Sequence, residues 1–132
     1  MKEANTLRGG LIGAHISRTR LPAALSLLCV NAGLALEFEL IDTAEDVDFD
    51  LSACLAACRD KGWNGVSVTH PHKIGTFEWL NGNQTDDVAK VGSVNMVVFR
   101  SSSLPAFFAA KAATYVLRDP SKRSTYNVLC FA

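Results

Sequence analysis

A nine-residue stretch, Gly65-Val66-Ser67-Val68-Thr69-His70-Pro71-His72-Lys73, limits the folds open to this chain. Val66 and Val68 are β-branched and alternate with Ser67, the pattern of a short buried strand. The strand must stop at Pro71, which cannot donate to a sheet ladder and pushes His70 out of helical geometry. Thr69, His70, His72 and Lys73 then crowd the mouth of the strand with polar side chains. In open α/β sheets the ligand crevice lies at the carboxyl ends of the strands. A lysine placed there can serve proton transfer. Taken alone, Lys73 is equally well explained as a surface lysine in a loop.

The flanking sequence supplies the partners such a strand needs. Residues 7–14, Leu-Arg-Gly-Gly-Leu-Ile-Gly-Ala, read as a first strand with a glycine-rich exit. Gly9, Gly10 and Gly13 fit neither G-x-G-x-x-G nor a P-loop, so they are read as permitting a tight turn and close chain approach. A polar loop follows, and then a helix from Leu21 to Ala32 with Pro22 in its first turn. Leu25, Leu28 and Cys29 recur along it at helical spacing, and Gly33 stops it. Residues 36–42 alternate apolar and acidic, as in a strand with one wet face. Asp50 caps a second helix from Leu51 to Lys61, whose apolar stripe is Leu51, Cys54, Leu55 and Cys58. After the central strand come a short helix through Phe77, Trp79 and Leu80, and a break at Asn81-Gly82-Asn83. Thr85 caps another short helix, with Val88 and Val91 facing inward and Gly92 at its end. Residues 93–99 read as a strand. This alternation predicts an α/β fold: an open, mostly parallel mixed sheet flanked by helices.

Composition narrows the partners. The 132 residues carry thirteen basic and thirteen acidic side chains, so nothing points to nucleic acid or an anionic membrane. Apolar runs fall well short of the roughly 20 residues a spanning helix needs. The first five residues lack the apolar core of a signal peptide, and the expectation is a cytoplasmic protein. Cys29, Cys54, Cys58 and Cys130 form no C-x-x-C pair and read as reduced thiols, with Cys54 and Cys58 one helical turn apart. His70-x-His72 lacks a third ligand nearby, so no metal site is expected.

The charge balance hides a shift in composition. Residues 1–100 hold nine basic and twelve acidic residues, and residues 101–132 hold four and one. A boundary is therefore placed at residue 100. Beyond it come a serine linker, a plausible helix over 105–119 ended by Pro120, and an apolar end at 127–132. Phe107, Phe108 and Phe131 give this atypical C-terminal tail an apolar surface on which a partner or a second copy of the chain could pack.

The central stretch resembles the G-x-N-V-T-x-P-x-K signature of the shikimate and quinate dehydrogenases, with Ser67 in place of the asparagine. Two further stretches fall in the order and spacing that family requires. Leu11-Ile12-Gly13-Ala14-His15-Ile16-Ser17-Arg18-Thr19 resembles its first substrate loop, although Arg20 and Leu21 intervene before Pro22. Val91-Gly92-Ser93-Val94-Asn95-Met96 resembles its G-A-x-N-T stretch, with Met96 in place of the threonine. The resemblance covers roughly residues 7–100 and implies roles for five residues. Ser17 and Thr19 would hold the carboxylate of shikimate or quinate, a small hydroxylated cyclic acid. Thr69 and Asn95 would bind its hydroxyls. Lys73 would be the catalytic residue that exchanges the proton of the reacting hydroxyl.

The family's remaining parts have no match here. No N-T-D triplet carries the dyad aspartate, and Asp119 stands in Leu-Arg-Asp-Pro. No G-x-G-x-x-G turn occurs, so the NAD or NADP used by the full-length family has no binding site in this chain as it stands. The resemblance thus implies a truncated substrate-binding domain, inactive alone. Two other readings stay open: a small binding module for a hydroxylated carboxylic acid, and an interaction protein that packs through its apolar tail.

Overall fold

Two glycines of the first strand show why the sheet assembles as it does. A Cβ on Gly10 would lie 2.5 Å from the Glu39 carbonyl oxygen and 2.7 Å from the Trp63 ring. One on Gly13 would run into the Thr69 methyl group. Both positions lie inside a strand, and neither has a positive φ. These glycines therefore permit close strand packing, without the tight turn the sequence suggested.

The structure is a computed structural model and describes residues 6–82, 86–99 and 129–131. Its elements run β1 (Thr6–Gly13), α1 (Leu21–Ala32), β2 (Ala35–Asp42), α2 (Leu51–Asp60), β3 (Gly65–Val68), α3 (Lys73–Leu80), α4 (Asp86–Val91), β4 (Met96–Val98) and β5 (Leu129–Phe131). The sheet order is β2-β1-β3-β4-β5. β1 pairs parallel with β2 and with β3, β4 pairs antiparallel with β3, and β5 pairs parallel with β4. This is the expected open mixed sheet with helices. The parallel β1–β3 half puts three strand ends at one edge of the sheet, where Gly13, Asp42 and Val68 close their strands. Because β4 runs the other way, its beginning lies at that same edge.

The local signals act as the sequence implies. Pro22 sits in the first turn of α1, and Gly33 ends that helix in the left-handed conformation at φ 70°. The Asp50 carboxylate accepts the Ala53 amide at 3.0 Å and so caps α2. Leu55 and Cys58 on α2 are buried, with Leu51 and Cys54 packed beside them. The main core joins these residues to Ile12, Trp63, Val66, Val68, Leu80, Val88, Val94, Val97 and Phe99.

Three expectations need correction. Val91 does not face inward; it is 60% exposed, because α4 is six residues long and only Val88 reaches the core. Leu28 is exposed although Cys29 beside it is buried, so the two do not share an inward stripe. The last strand of the alternating region is short, Met96–Val98 rather than 93–99, since pairing with the four-residue β3 limits its length. The cap at Thr85, the helix over 105–119 and the apolar surface of the tail lie outside the described residues. Among the described residues, no helix is long and apolar enough to cross a membrane.

Candidate functional site

The strand ends are tied together by backbone hydrogen bonds before any side chain is considered. The Thr69 amide donates to the Ile12 carbonyl at 2.9 Å, and the Ala14 amide donates to the His70 carbonyl at 3.0 Å. The β1 exit and the β3 exit therefore continue as neighbours beyond the sheet. On the other side of β3, the Val68 amide donates to the Asn95 carbonyl at 2.8 Å and the Val94 amide to the Lys73 carbonyl at 3.1 Å. The antiparallel β4 thus delivers Asn95 beside the turn that carries Thr69 and Lys73, although more than 20 residues separate them in sequence.

Each residue singled out in the sequence has a definite place. Thr69 is the first residue after β3, and Lys73 is the first residue of α3; both are half-buried. Asn95 immediately precedes β4. Ser17 is exposed on the β1–α1 loop. Thr19 is half-buried on that loop, and its hydroxyl oxygen accepts the Leu21 amide at 3.3 Å. That bond occupies a lone pair and leaves the Thr19 proton to be donated elsewhere, as a carboxylate would require. The β1–β3 bonds bring Gly13 and Ala14, where the loop of Ser17 and Thr19 begins, against Thr69 and His70.

Two residues that sequence reasoning missed, Asp42 and Thr43, hold this edge together with His72. Asp42, at the end of β2, accepts the amides of Ala44 at 3.0 Å and of His15 and Ile16 at 3.1 Å each. These bonds, the Ala44 amide foremost and the charge of the His15 ring last, hold its carboxyl below the usual carboxylate range despite some opposing desolvation. They also fix His15 in the left-handed region, at φ 58°, and so set the path of the loop toward Ser17. Thr43 is buried, and its amide donates to the Gly13 carbonyl at 2.9 Å. Its hydroxyl is hydrogen-bonded to His72 Nε2 at 2.7 Å. The His72 ring also packs on Phe49, with centroids 5.0 Å apart. Burial, aided by the charge of His70, pushes the His72 pKa down. An Asp-Thr pair at the end of an edge strand carries no motif that sequence inspection could have recognised.

No cluster of metal ligands occurs among the described residues. Cys54 and Cys58 do face each other on α2, and burial first, then the neighbouring Cys54, pushes the Cys58 thiol up to about 12. An open groove between α2 and α3, lined by Phe49, Leu51, Glu78 and Trp79, adjoins the strand-end cluster through Phe49, whose ring packs on His72.

The comparisons with known proteins bear on this arrangement. The family described as the shikimate dehydrogenase substrate binding domain matches residues 11–97. A quinate/shikimate dehydrogenase (NAD(+)) of Corynebacterium efficiens is 36% identical over 91 residues, covering 67% of this chain and 32% of that protein. The solved quinate dehydrogenase from Corynebacterium glutamicum in complex with NAD superposes with a TM-score of 0.67 at 29% identity, covering 74% of this chain and 35% of that one. The shikimate 5-dehydrogenase from Thermus thermophilus, in complex with NADP(H) and shikimate, shares the fold with a TM-score of 0.59 at 24% identity, covering 70% of this chain and 33% of its own. The chain spans about a third of the length of each of these three proteins. The matched region contains all three strand ends and the β4 start, and on that match the chain belongs to the shikimate dehydrogenase substrate-binding domain family.

Proposed function

We propose that the strand-end cluster binds a small hydroxylated cyclic carboxylic acid of the shikimate or quinate type. One observation carries the reading: the parallel β1–β3 pair and the antiparallel β4 bring the loops of Ser17, Thr69–Lys73 and Asn95 to one edge of the sheet. The Ser17 and Thr19 hydroxyls donate to the carboxylate. Neutral donors hold it with direction but without the tight grip of a fixed cation. Thr69 and Asn95 bind ring hydroxyls, and an amide side chain can donate to one and accept from the next. Lys73 is the catalytic residue; it takes or returns the proton of the hydroxyl that the relatives' reaction oxidises. The substrate-binding unit ends near residue 100.

A nicotinamide dinucleotide does not fit the described residues. Gly9 and Gly10 lie in the ladders of β1 with β2 and β3, so their amides are taken up by the sheet and cannot cradle a pyrophosphate. The glycines with positive φ follow helices or turns and do not form a phosphate-binding loop at a helix start. The described residues alone therefore bind the acid without turning it over. Its thiols, free among the described residues, suit the reducing cytoplasm.

Calorimetric titration of the pure chain with shikimate and with quinate tests the reading. One saturable site is expected, weakened about tenfold or more by Ser17→Ala and by Lys73→Met, the loss of one charge-assisted contact each. A folded chain that binds neither acid overturns it. Turnover of shikimate with either nicotinamide cofactor, abolished by Lys73→Ala, would overturn the claim that the chain is inactive alone.

A further inference from the structure

The turn that carries Lys73 is held from a second side. The His72 amide donates to the Thr69 carbonyl at 3.0 Å, and the His72 carbonyl accepts both the amide and the hydroxyl of Thr76, at 2.9 and 2.8 Å. The backbone before Lys73 is therefore rigid, and the His72 side chain adds a tie from that unit to the end of β2, beyond its backbone bonds to β1 and β4. It docks on Thr43, which the Gly13 carbonyl anchors to β1 and which follows Asp42, the clamp of the His15–Ile16 amides. A single side-chain contact at 2.7 Å thus links the lysine turn to the loop of Ser17 and Thr19.

The direction of this bond follows from satisfaction of buried groups. Thr43 Oγ1 has no other side-chain partner among the described residues. If Nε2 carried the ring proton, the buried Thr43 hydroxyl would keep an unpaired proton of its own. If Nε2 is bare, the hydroxyl donates to it and both groups are satisfied. We propose that His72 is a positioning residue for Lys73, and that its neutral ring, accepting from Thr43, latches the lysine turn to the carboxylate loop. The ligand-binding consequence rests on the function proposed for Lys73 and Ser17; the latch itself does not.

Protonating His72 turns the acceptor into a donor. Thr43 must then reverse its hydroxyl and leave its proton unpaired, so the latch loosens in acid. The groups around the ring favour the closed state at neutral pH. From the β2–α2 segment, Thr43 and Phe49 face it, and both are uncharged. From its own turn comes His70, whose charge opposes a second one, and Lys73 follows in the chain. Because the folded pKa lies below the ordinary value near 6.5, the latch's contribution is present in full above about pH 6.5. It is lost as pH falls through the folded value.

The test is an NMR titration of the ¹⁵N-labelled 132-residue chain, with Thr43→Val and Thr43→Ser beside the wild type. At pH 7.5 His72 Nε2 is expected to give the signal of a bare, accepting nitrogen. The His72 midpoint should rise by roughly half a unit to one unit in Thr43→Val, as expected for loss of one hydrogen bond to the neutral form. Thr43→Ser should restore it, and the Lys73 and Ile16 amides should follow the same midpoint. A protonated Nε2 at pH 7.5, or Lys73 and Ile16 amides indifferent to the His72 titration, overturns the latch. A second arm measures shikimate binding: Lys73→Met should weaken it strongly in the wild type and only two- to threefold in Thr43→Val. Equal losses in both backgrounds overturn the positioning role. If the wild type binds no shikimate, the proposed function falls, and the spectroscopic arm still decides the latch.

Discussion

Gly13→Ala should damage the site and the fold together, for a reason visible at one atom. The new Cβ would run into the Thr69 methyl, lie 3.1 Å from the Ile16 methyl and sit 3.2 Å from the His70 carbonyl oxygen. Thr69 can turn its methyl away only by redirecting its hydroxyl. The His70 carbonyl is backbone and already accepts the Ala14 amide. The β1 and β3 exits must therefore part. Overpacking of this kind costs about 1–3 kcal/mol, and the stiffer unfolded chain returns about 0.4–1 kcal/mol, since the Gly13 φ is open to alanine. At the middle of both ranges the net loss is about 1.3 kcal/mol, or a Tm lower by roughly 5–10 °C for a domain of this size. Shikimate affinity should fall about tenfold or more, because Thr69 is displaced. Gly33→Ala is the control. It forces alanine into the left-handed region at a cost of about 1–2 kcal/mol, but nothing lies within 4 Å of the added Cβ. Differential scanning calorimetry and ligand titration of both variants decide the matter. A Gly13→Ala chain with wild-type Tm and affinity, or a Gly33→Ala chain that loses affinity as severely, would refute the argument.

Other perturbations have equally definite outcomes. Leu55→Ala empties a fully buried position in the main core and should cost about 2–5 kcal/mol in urea unfolding; a midpoint unchanged from wild type would show that α2 does not seal the sheet. Asp42 is held below the ordinary carboxylate pKa, so its contribution is present above about pH 4 and lost as pH falls through the folded value. Asp42→Asn should therefore flatten the acid limb of the stability–pH curve, and an unaltered limb would contradict the clamp. Cys58, with its thiol raised to about 12, should resist alkylation at pH 8 until the chain unfolds; mass spectrometry showing rapid modification of the native chain would contradict its burial.

Much of this fold was legible because its signals are local. Asp50, Pro22 and Gly33 act within one turn of their own position, and the β-branched alternation of Val66 and Val68 needs no distant partner to be recognised. The placement of Asn95 was different. Its nearness to Lys73 depends on β4 running antiparallel, and nothing in a three-residue strand declares its direction. Asp42 and Thr43, and the bond that His72 makes to Thr43, escaped notice for a related reason. Their ties to the other strand exits run to residues more than 20 positions away, which no spacing rule encodes. The inward reading of Val91 failed because a helix of six residues presents too little surface to bury two valines.

The central claim is that one ligand occupies the edge where β1, β3 and β4 meet, and amide shift mapping during a shikimate titration tests it most directly. The account predicts saturable shifts confined to residues 13–19, 69–73 and 94–96, sharing one dissociation constant and lost in Ser17→Ala. Shifts centred instead on the groove of Phe49, Leu51 and Trp79, or none in a folded chain, would contradict it.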